Sequence, residues 1–377
     1  MAAVTKSKRQ VPSSFWPLLV LALFGIGLAI YRLVAGLGPT TNMNDHYPWG
    51  IWITVDLFLI PVAGAAFTIS WLSYFLGRDK YHSIIRPAVL AGLVGYGIVA
   101  VLLFLDIGRW NQFYNILNPG ILNIHSFLEE ISLSITFYSL ILVLEAAPIF
   151  LEKWNIQAPI KWINRAIFWI AGAGVVFSML HQSSLGSMFL LMSHKLHPLW
   201  WSPALPLLFY FQAIYTGLGT AAIAITLVWH GLKLPMDREL FRRLGQAMSL
   251  NLLLYAAIKF GDLMGAGKLP LLFKADPFTY IAWIELGLGV LLPLAILLSK
   301  LVGHSAGPFW AGVFALMGTF INRLMISWVG LAEPNPVSYF PSWIEIMVTV
   351  GLIAAGILVY AVVVRNFRLF PKPESAQ

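Results

Sequence analysis

Ionisable residues stand inside long apolar stretches of this chain: Asp56, Asp106, Glu130, His181, Lys259, Asp262, Glu285, Arg323 and Glu345. A charge in hydrocarbon costs about 3 kcal/mol on insertion scales and more in simulation, so such a residue faces the protein interior and has a task there. One group reads Tyr47-Pro-Trp-Gly-Ile-Trp-Ile-Thr-Val-Asp56, in which Trp49, Trp52 and Asp56 follow i, i+3, i+7 and share one helical face. That pattern fits an interfacial aromatic belt with one structural acid. It also fits an aromatic wall beside a proton acceptor, suited to a flat ring that gains protons. A second group, His181-Gln-Ser-Ser-Leu-Gly-Ser187, closes another apolar run. Imidazole, amide and hydroxyl groups can hold a carbonyl oxygen and pass protons, which makes His181, Gln182, Ser183 and Ser184 candidates; they also suit a simple helix end.

The remaining candidates have structural readings of equal weight. Asp106-Ile-Gly-Arg109 allows an i, i+3 ion pair at a helix end. Lys259 and Asp262 are also i, i+3, and Arg323 needs a partner from another helix, with Glu285 and Glu345 at comparable depth. Glu145 lies fifteen residues beyond Glu130 in one apolar run, about 22 Å along a helix at ~1.5 Å per residue. It is either a snorkelling acid or the far mouth of a proton path to which Ser70, Ser73, Tyr74, Tyr138 and Ser139 contribute. Asp262, Glu285 and Arg323 are further candidates for such a path.

Elements must position these groups. The chain is 59% hydrophobic and 11% charged, against about 25% charged in a soluble domain, so it is an all-α, multi-pass integral membrane protein. A span needs about 20 apolar residues. Ten are expected, at 14–36, 49–76, 83–106, 127–150, 161–181, 205–231, 240–264, 277–300, 306–328 and 341–364. The first is read as a retained helix rather than a cleaved signal. Gly92, Gly95 and Gly97, then Gly172 and Gly174, permit close helix packing, and Pro61, Pro148 and Pro293 are expected to kink their spans.

Basic residues fix the orientation. Lys6, Lys8, Arg9, Arg78, Lys80, Arg86, Lys153, Lys161, Arg165, Lys233, Arg238, Arg242, Arg243, Lys300, Arg365, Arg368 and Lys372 fall on one side. Arg32, Arg109, Lys195, Lys268 and Lys274 fall on the other. Both termini are therefore expected in the cytoplasm of a prokaryotic inner membrane, and the buried charges, Glu145 apart, in the outer half. The net charge of +8 reports this topology and not a nucleic-acid partner. Zero cysteines leave no thiolates for an iron–sulfur cluster. His181 is the one histidine clearly within a span, so paired axial ligation of haem is not expected. Phosphate loops, zinc motifs and Ser/His/Asp nucleophile motifs are not evident.

These stretches, taken in order, resemble the NrfD/PsrC family of quinone-interacting membrane subunits, in its HybB-like, ten-helix branch. The resemblance rests on Tyr47-Pro-Trp-Gly50 with Asp56, Tyr81-His with Arg86-Pro-Ala, Asp106-x-Gly-Arg109, and Leu144-Glu-x-Ala-Pro148. It continues through His181-Gln-Ser-Ser-x-Gly-Ser187, His197-Pro-Leu-Trp200, Trp283-Ile-Glu285 and Tyr339-Phe-Pro-x-Trp343. It implies two four-helix bundles, residues 49–181 and 205–328, with 14–36 and 341–364 as peripheral helices. It also implies a subunit without haem or iron–sulfur cluster of its own, binding menaquinone or ubiquinone near an extracytoplasmic four-cluster ferredoxin-like subunit that a further catalytic redox subunit serves. Asp45-His46 and Glu333-Pro-Asn-Pro336 depart from the glycine-rich sequence of that branch.

The resulting expectation is a quinone-binding subunit of a respiratory oxidoreductase. Asp56, His181 and Glu130 handle protons, and Trp49, Trp52, Asp106, Arg109, Gln182, Ser183 and Ser184 surround the ring. The alternatives are a secondary transporter without electron transfer and a structural anchor for a soluble enzyme. Transporters place paired charges in broken helices at the bilayer midplane, whereas these charges cluster away from it.

Overall fold

A computed structural model of the chain describes residues 13–75, 81–123, 125–233, 237–331 and 338–369. The basic residues Lys6, Lys8 and Arg9, Arg78 and Lys80, the stretch 333–336 and Lys372 lie outside these residues. Among the described residues, ten helices are long and apolar enough to cross a membrane: α1 (Phe15–Ala35), α2 (Ile51–Phe75), α3 (Ile84–Asp106), α4 (Phe127–Trp154), α5 (Gln157–Met192), α6 (Leu205–Gly231), α7 (Arg238–Gly265), α8 (Pro277–Leu297), α9 (Ala306–Val329) and α10 (Trp343–Asn366). Among the described residues there is no strand, only the isolated bridges Asn44–Tyr47 and Leu196–Leu331.

The expected spans match these helices to within a few residues, apart from α5. Its helix continues two turns past His181 to Met188 and ends in a 3-10 turn. The polar run His181–Ser187 is therefore inside the helix and does not terminate it. Small and hydroxyl-bearing residues weaken a helix by propensity, but here the flanking helices cover His181, Gln182, Ser184 and Gly186 completely or nearly so.

Helices α2–α5 pack around one another, as do α6–α9, while α1 pairs with α10 on the outside of α3. The two groups meet along α2 and α6. A Cβ on Gly217 would sit 2.7 Å from the backbone of Gly64, so the helix backbones touch where no side chain fits, as small residues allow in membranes. Pro61 stands just before a break in α2 at Gly64. Pro293 follows a π-turn at Gly287–Leu291 in α8. The helix around Pro148 runs on to Leu151.

Helix starts follow capping chemistry. Asp276 accepts the Thr279 N–H ahead of Pro277, which sits at the first helical position. Ser342 and Glu345 form a reciprocal capping box on α10. Even-numbered spans begin, and odd-numbered spans end, on one side, called here the distal face.

Candidate functional site

The first bundle carries its polar groups on facing sides of four helices. α2 brings Asp56, α3 brings Tyr96, α4 brings Tyr138, and α5 brings Ser178, His181 and Gln182; all six are buried. The Tyr96 hydroxyl lies 2.9 Å from Nδ1 of His181, and its ring meets Tyr138 edge-on at 4.7 Å. Asp56 is in electrostatic contact with Tyr96 from the other side. Around this contact, hydrogen-bonding capacity is left open. Oδ1 of Asp56, Nε2 of His181 and both amide atoms of Gln182 are buried without a partner. Nine in ten buried polar groups are normally satisfied, and each orphan costs about 1–3 kcal/mol. Asp56, His181 and Gln182 thus carry both donor and acceptor capacity that the protein leaves unused.

Toward the distal face, the structure rearranges the expected pairs. Asp106 and Arg109 do not form an ion pair: Arg109 is exposed, and Asp106 instead interacts with Arg32 of α1. Arg32, read from sequence as an outer-surface charge, is wholly buried and donates from Nη2 to the Ile107 carbonyl at 2.9 Å. Its place near a helix end made it look like a loop residue. Asp106 also faces Asp56 electrostatically, so the two acids and Arg32 share one neighbourhood without direct pairing: Nε and Nη1 of Arg32 and Oδ1 of Asp106 are buried without a hydrogen-bond partner. Glu130 accepts a 2.7 Å hydrogen bond from Ser184, fixing α4 to α5, and Ser183 is half-buried. Trp49 rests edge-on against Phe189. Trp52 is fully buried and donates to the Glu345 carbonyl on α10 at 3.2 Å. The two indoles thus contact different helices. Glu345 itself is a structural hub: its carboxylate accepts from Tyr339, Asn42 and Ser342. Burial, with this contact second, raises the Tyr339 hydroxyl pKa.

Away from the distal face, the same file continues. Ser178 lies close to Tyr96 and Tyr138, although its Oγ and the Tyr138 hydroxyl are buried without a hydrogen-bond partner. Tyr138 is in electrostatic contact with Glu145, and Ser70 donates to Glu145 at 3.4 Å. Arg86 and Glu152 form a two-pronged ion pair beyond it. Tyr96 and Ser178 were not singled out from sequence, because a search for charges at membrane depth passes over neutral hydroxyls. A tyrosine inside the glycine-rich run Gly92–Gly97 was the available signal.

The second bundle ties most of its charges to the protein, although Nε and Nη2 of Arg323 are buried without a hydrogen-bond partner. Glu285 accepts from Trp200 at 2.6 Å and from Asn322 at 2.8 Å. Arg323 donates to Asn322 at 3.1 Å, and its guanidinium lies 3.4 Å from the centre of the Phe209 ring. Lys259 donates to the Leu199 carbonyl and Lys268 to the Trp201 carbonyl, each at 2.8 Å. Lys259 also interacts with Asp262 and Glu285 through space. These residues hold the 193–204 connection between the bundles, which the His197 N–H ties to Gly330. Asp262, Glu285 and Arg323 thus belong to a different bundle from Tyr138 and Glu145. Glu285, and not Glu345, is the acid near Arg323.

Among the described residues there is no group of three or more His, Asp or Glu side chains arranged to hold a metal ion. His181 offers one open imidazole nitrogen inside a span. His230 is at the exposed end of α6, its Nδ1 2.7 Å from the Thr226 carbonyl oxygen, and His197 stacks on Phe278 in a loop. The described residues do not supply a second buried imidazole for a bis-histidine haem.

Residues 39–335 match the family model described as polysulphide reductase, NrfD. The chain belongs to this family of multi-pass integral membrane proteins of prokaryotic membranes. It is 34% identical to a protein of Escherichia coli (strain K12) named probable Ni/Fe-hydrogenase 2 b-type cytochrome subunit, over 95% of this chain and 91% of that one. It is 29% identical to the menaquinone reductase integral membrane subunit of Nitratidesulfovibrio vulgaris, over 95% and 92%. A third relative, the Hdr-like menaquinol oxidoreductase integral membrane subunit of Archaeoglobus fulgidus, is 23% identical over 94% and 93%.

Proposed function

We propose that this chain is the quinone-binding membrane subunit of a respiratory oxidoreductase and exchanges electrons with an extracytoplasmic iron–sulfur subunit. The observation that carries the reading is the set of open hydrogen-bonding atoms on Asp56, His181 and Gln182 around the Tyr96–His181 contact. A quinone presents two carbonyl oxygens, and its reduction consumes two electrons and two protons. In this reading, electrons arrive from the iron–sulfur partner on the distal face, which the distribution of basic residues makes extracytoplasmic. His181 donates a hydrogen bond from its open nitrogen to one quinone oxygen, with Tyr96 setting its orientation. Gln182 and Asp56 serve the other; Asp56 gives one proton directly, and His181 gives the second from its open nitrogen while taking one up at Nδ1 from the Tyr96 hydroxyl. Arg32 and Asp106 tune Asp56 by charge. The names of the relatives agree with a quinone substrate. The single open imidazole favours a chain without haem of its own.

The file Tyr96, Ser178, Tyr138, Glu145 gives the protons a route from the cytoplasmic side, which makes turnover electrogenic. Glu145→Gln that leaves the proton uptake per quinone unchanged would remove that clause. The main reading is tested with Asp56→Asn in the intact complex. Loss of quinone-linked activity with assembly preserved is expected. Full activity would leave only an anchoring role, and solute counterflow in proteoliposomes free of redox partners would point to a transporter.

A further inference from the structure

A cleft of about 290 Å³ lies where α2 and α5 of the first bundle meet α6 and α7 of the second. Its walls are spans, so it lies within the hydrocarbon layer. It is lined by Trp71, Met179, Leu250 and Leu254, all of them exposed on the molecule's side surface, so it opens to lipid. Trp71 also begins a π-turn in α2, a distortion frequent at functional sites. Three polar side chains line the cleft, Thr68, Tyr210 and Asn251, and the Thr68 hydroxyl is already spent on the Gly64 carbonyl. Asn251 stands near the middle of α7, about 20 Å from either end at ~1.5 Å per residue. It is only 7% exposed, and its Oδ1 is buried without a hydrogen-bond partner.

The volume is about ten times a water's share of the liquid, ~30 Å³, and its apolar, lipid-facing walls favour an apolar occupant. An acyl chain fills such a space but brings no donor to Asn251. Phospholipid head groups lie at the surface, about 15 Å from the middle of a ~30 Å hydrocarbon layer. A ring bearing a hydroxyl satisfies both demands. We propose that this cleft is a second quinol site, in which a quinol taken from the bilayer donates to Asn251, on a flank of α5 adjoining the one that carries Ser178 and His181. The proposal rests on the reading that the chain handles quinones.

The test is photolabelling of the native complex in its membrane with an azido-menaquinone, under reducing conditions that hold probe and competitor as quinols, with the labelled residues mapped. Label is expected on α6 and α7 around Tyr210 and Asn251, and separately on α3 around Tyr96, with excess menaquinone displacing both. Asn251→Leu and Leu254→Trp should each lower the α6/α7 label at least fivefold and spare the α3 label. Leu254 is 44% exposed, so a tryptophan there fills the cleft without entering the core and keeps the test valid if Asn251→Leu fails to fold. Label on α3 alone overturns the proposal, as does an α6/α7 label that neither menaquinone nor Leu254→Trp reduces, the behaviour of an acyl-chain groove. Label on α6/α7 without α3 supports this site and counts instead against quinone binding at Asp56 and His181.

Discussion

Each bundle buries an edge-to-face pair of tyrosines, Tyr96 on Tyr138 in the first and Tyr215 on Tyr255 in the second, with centroids 4.7 and 5.3 Å apart and planes at 74° and 75°. Their surroundings differ. Near Tyr215 and Tyr255, the Glu285 carboxylate is filled by Trp200 and Asn322, and the pair reaches Arg323. Near Tyr96 and Tyr138, His181, Gln182 and Asp56 keep unmade bonds. A buried polar group that the protein itself satisfies holds parts together. One left open costs stability unless something else binds it. Under the proposed function, the same helical frame supports a tie around Glu285 in one half and a receptive site around His181 in the other, even though Nε and Nη2 of Arg323 also lack partners.

The largest expected contrast is in activity. His181→Ala should lower quinone-linked turnover by about 10²–10⁴, the usual contribution of a positioned acid or base, and lower the unfolding temperature of the complex in detergent less than Glu285→Ala does. Turnover within a factor of a few of the native value would break the comparison. Glu285→Ala should do the reverse. Removing that carboxylate strands the Trp200 and Asn322 donors beside Lys259 and Arg323, a loss of about 3 kcal/mol typical of a broken buried charge cluster. It should appear as a lowered unfolding temperature and poor assembly, while the protein that does assemble turns over normally.

Smaller changes sharpen the contrast. Tyr96→Phe removes one hydrogen bond worth about 1 kcal/mol and should slow turnover about fivefold without changing assembly. Thr216→Val in the second bundle, which breaks a 2.8 Å bond to Thr319, should affect stability and not turnover. The smallest effect concerns the start of α8. The Thr279 backbone N–H holds the Asp276 carboxyl below its ordinary pKa. A carboxyl lowered by folding stabilises above its unfolded value, about 3.9, and that contribution disappears as pH falls through the folded value. Asp276→Asn should therefore flatten the unfolding temperature against pH in the acid range and leave it unaltered near neutrality.

Much of this was legible in the sequence because the bilayer imposes strong rules. Span lengths gave ten helices, and depth marked Asp56 and His181 as interior groups, which the structure buries. What could not be read depends on which helices become neighbours. Arg32 lies near a span end and is buried only because α3 and α10 close over it. Trp52 and Asp56 share a helical face, but the Trp52 indole turns to α10 while Asp56 turns to Tyr96. The polar run after His181 resembles a helix end locally and stays helical because four helices enclose it. Ser178 and Gln182 gain meaning only from what stands opposite them.

The most direct test of the central claim is the quinone content of the complex purified gently from its native membrane, compared between the native chain and the variants His181→Ala and Glu285→Gln. The account predicts that His181→Ala lowers bound quinone by about one molecule per chain while Glu285→Gln retains it in whatever fraction assembles. Unchanged quinone in assembled His181→Ala, or its loss from assembled Glu285→Gln alone, would contradict placement of the site in the first bundle.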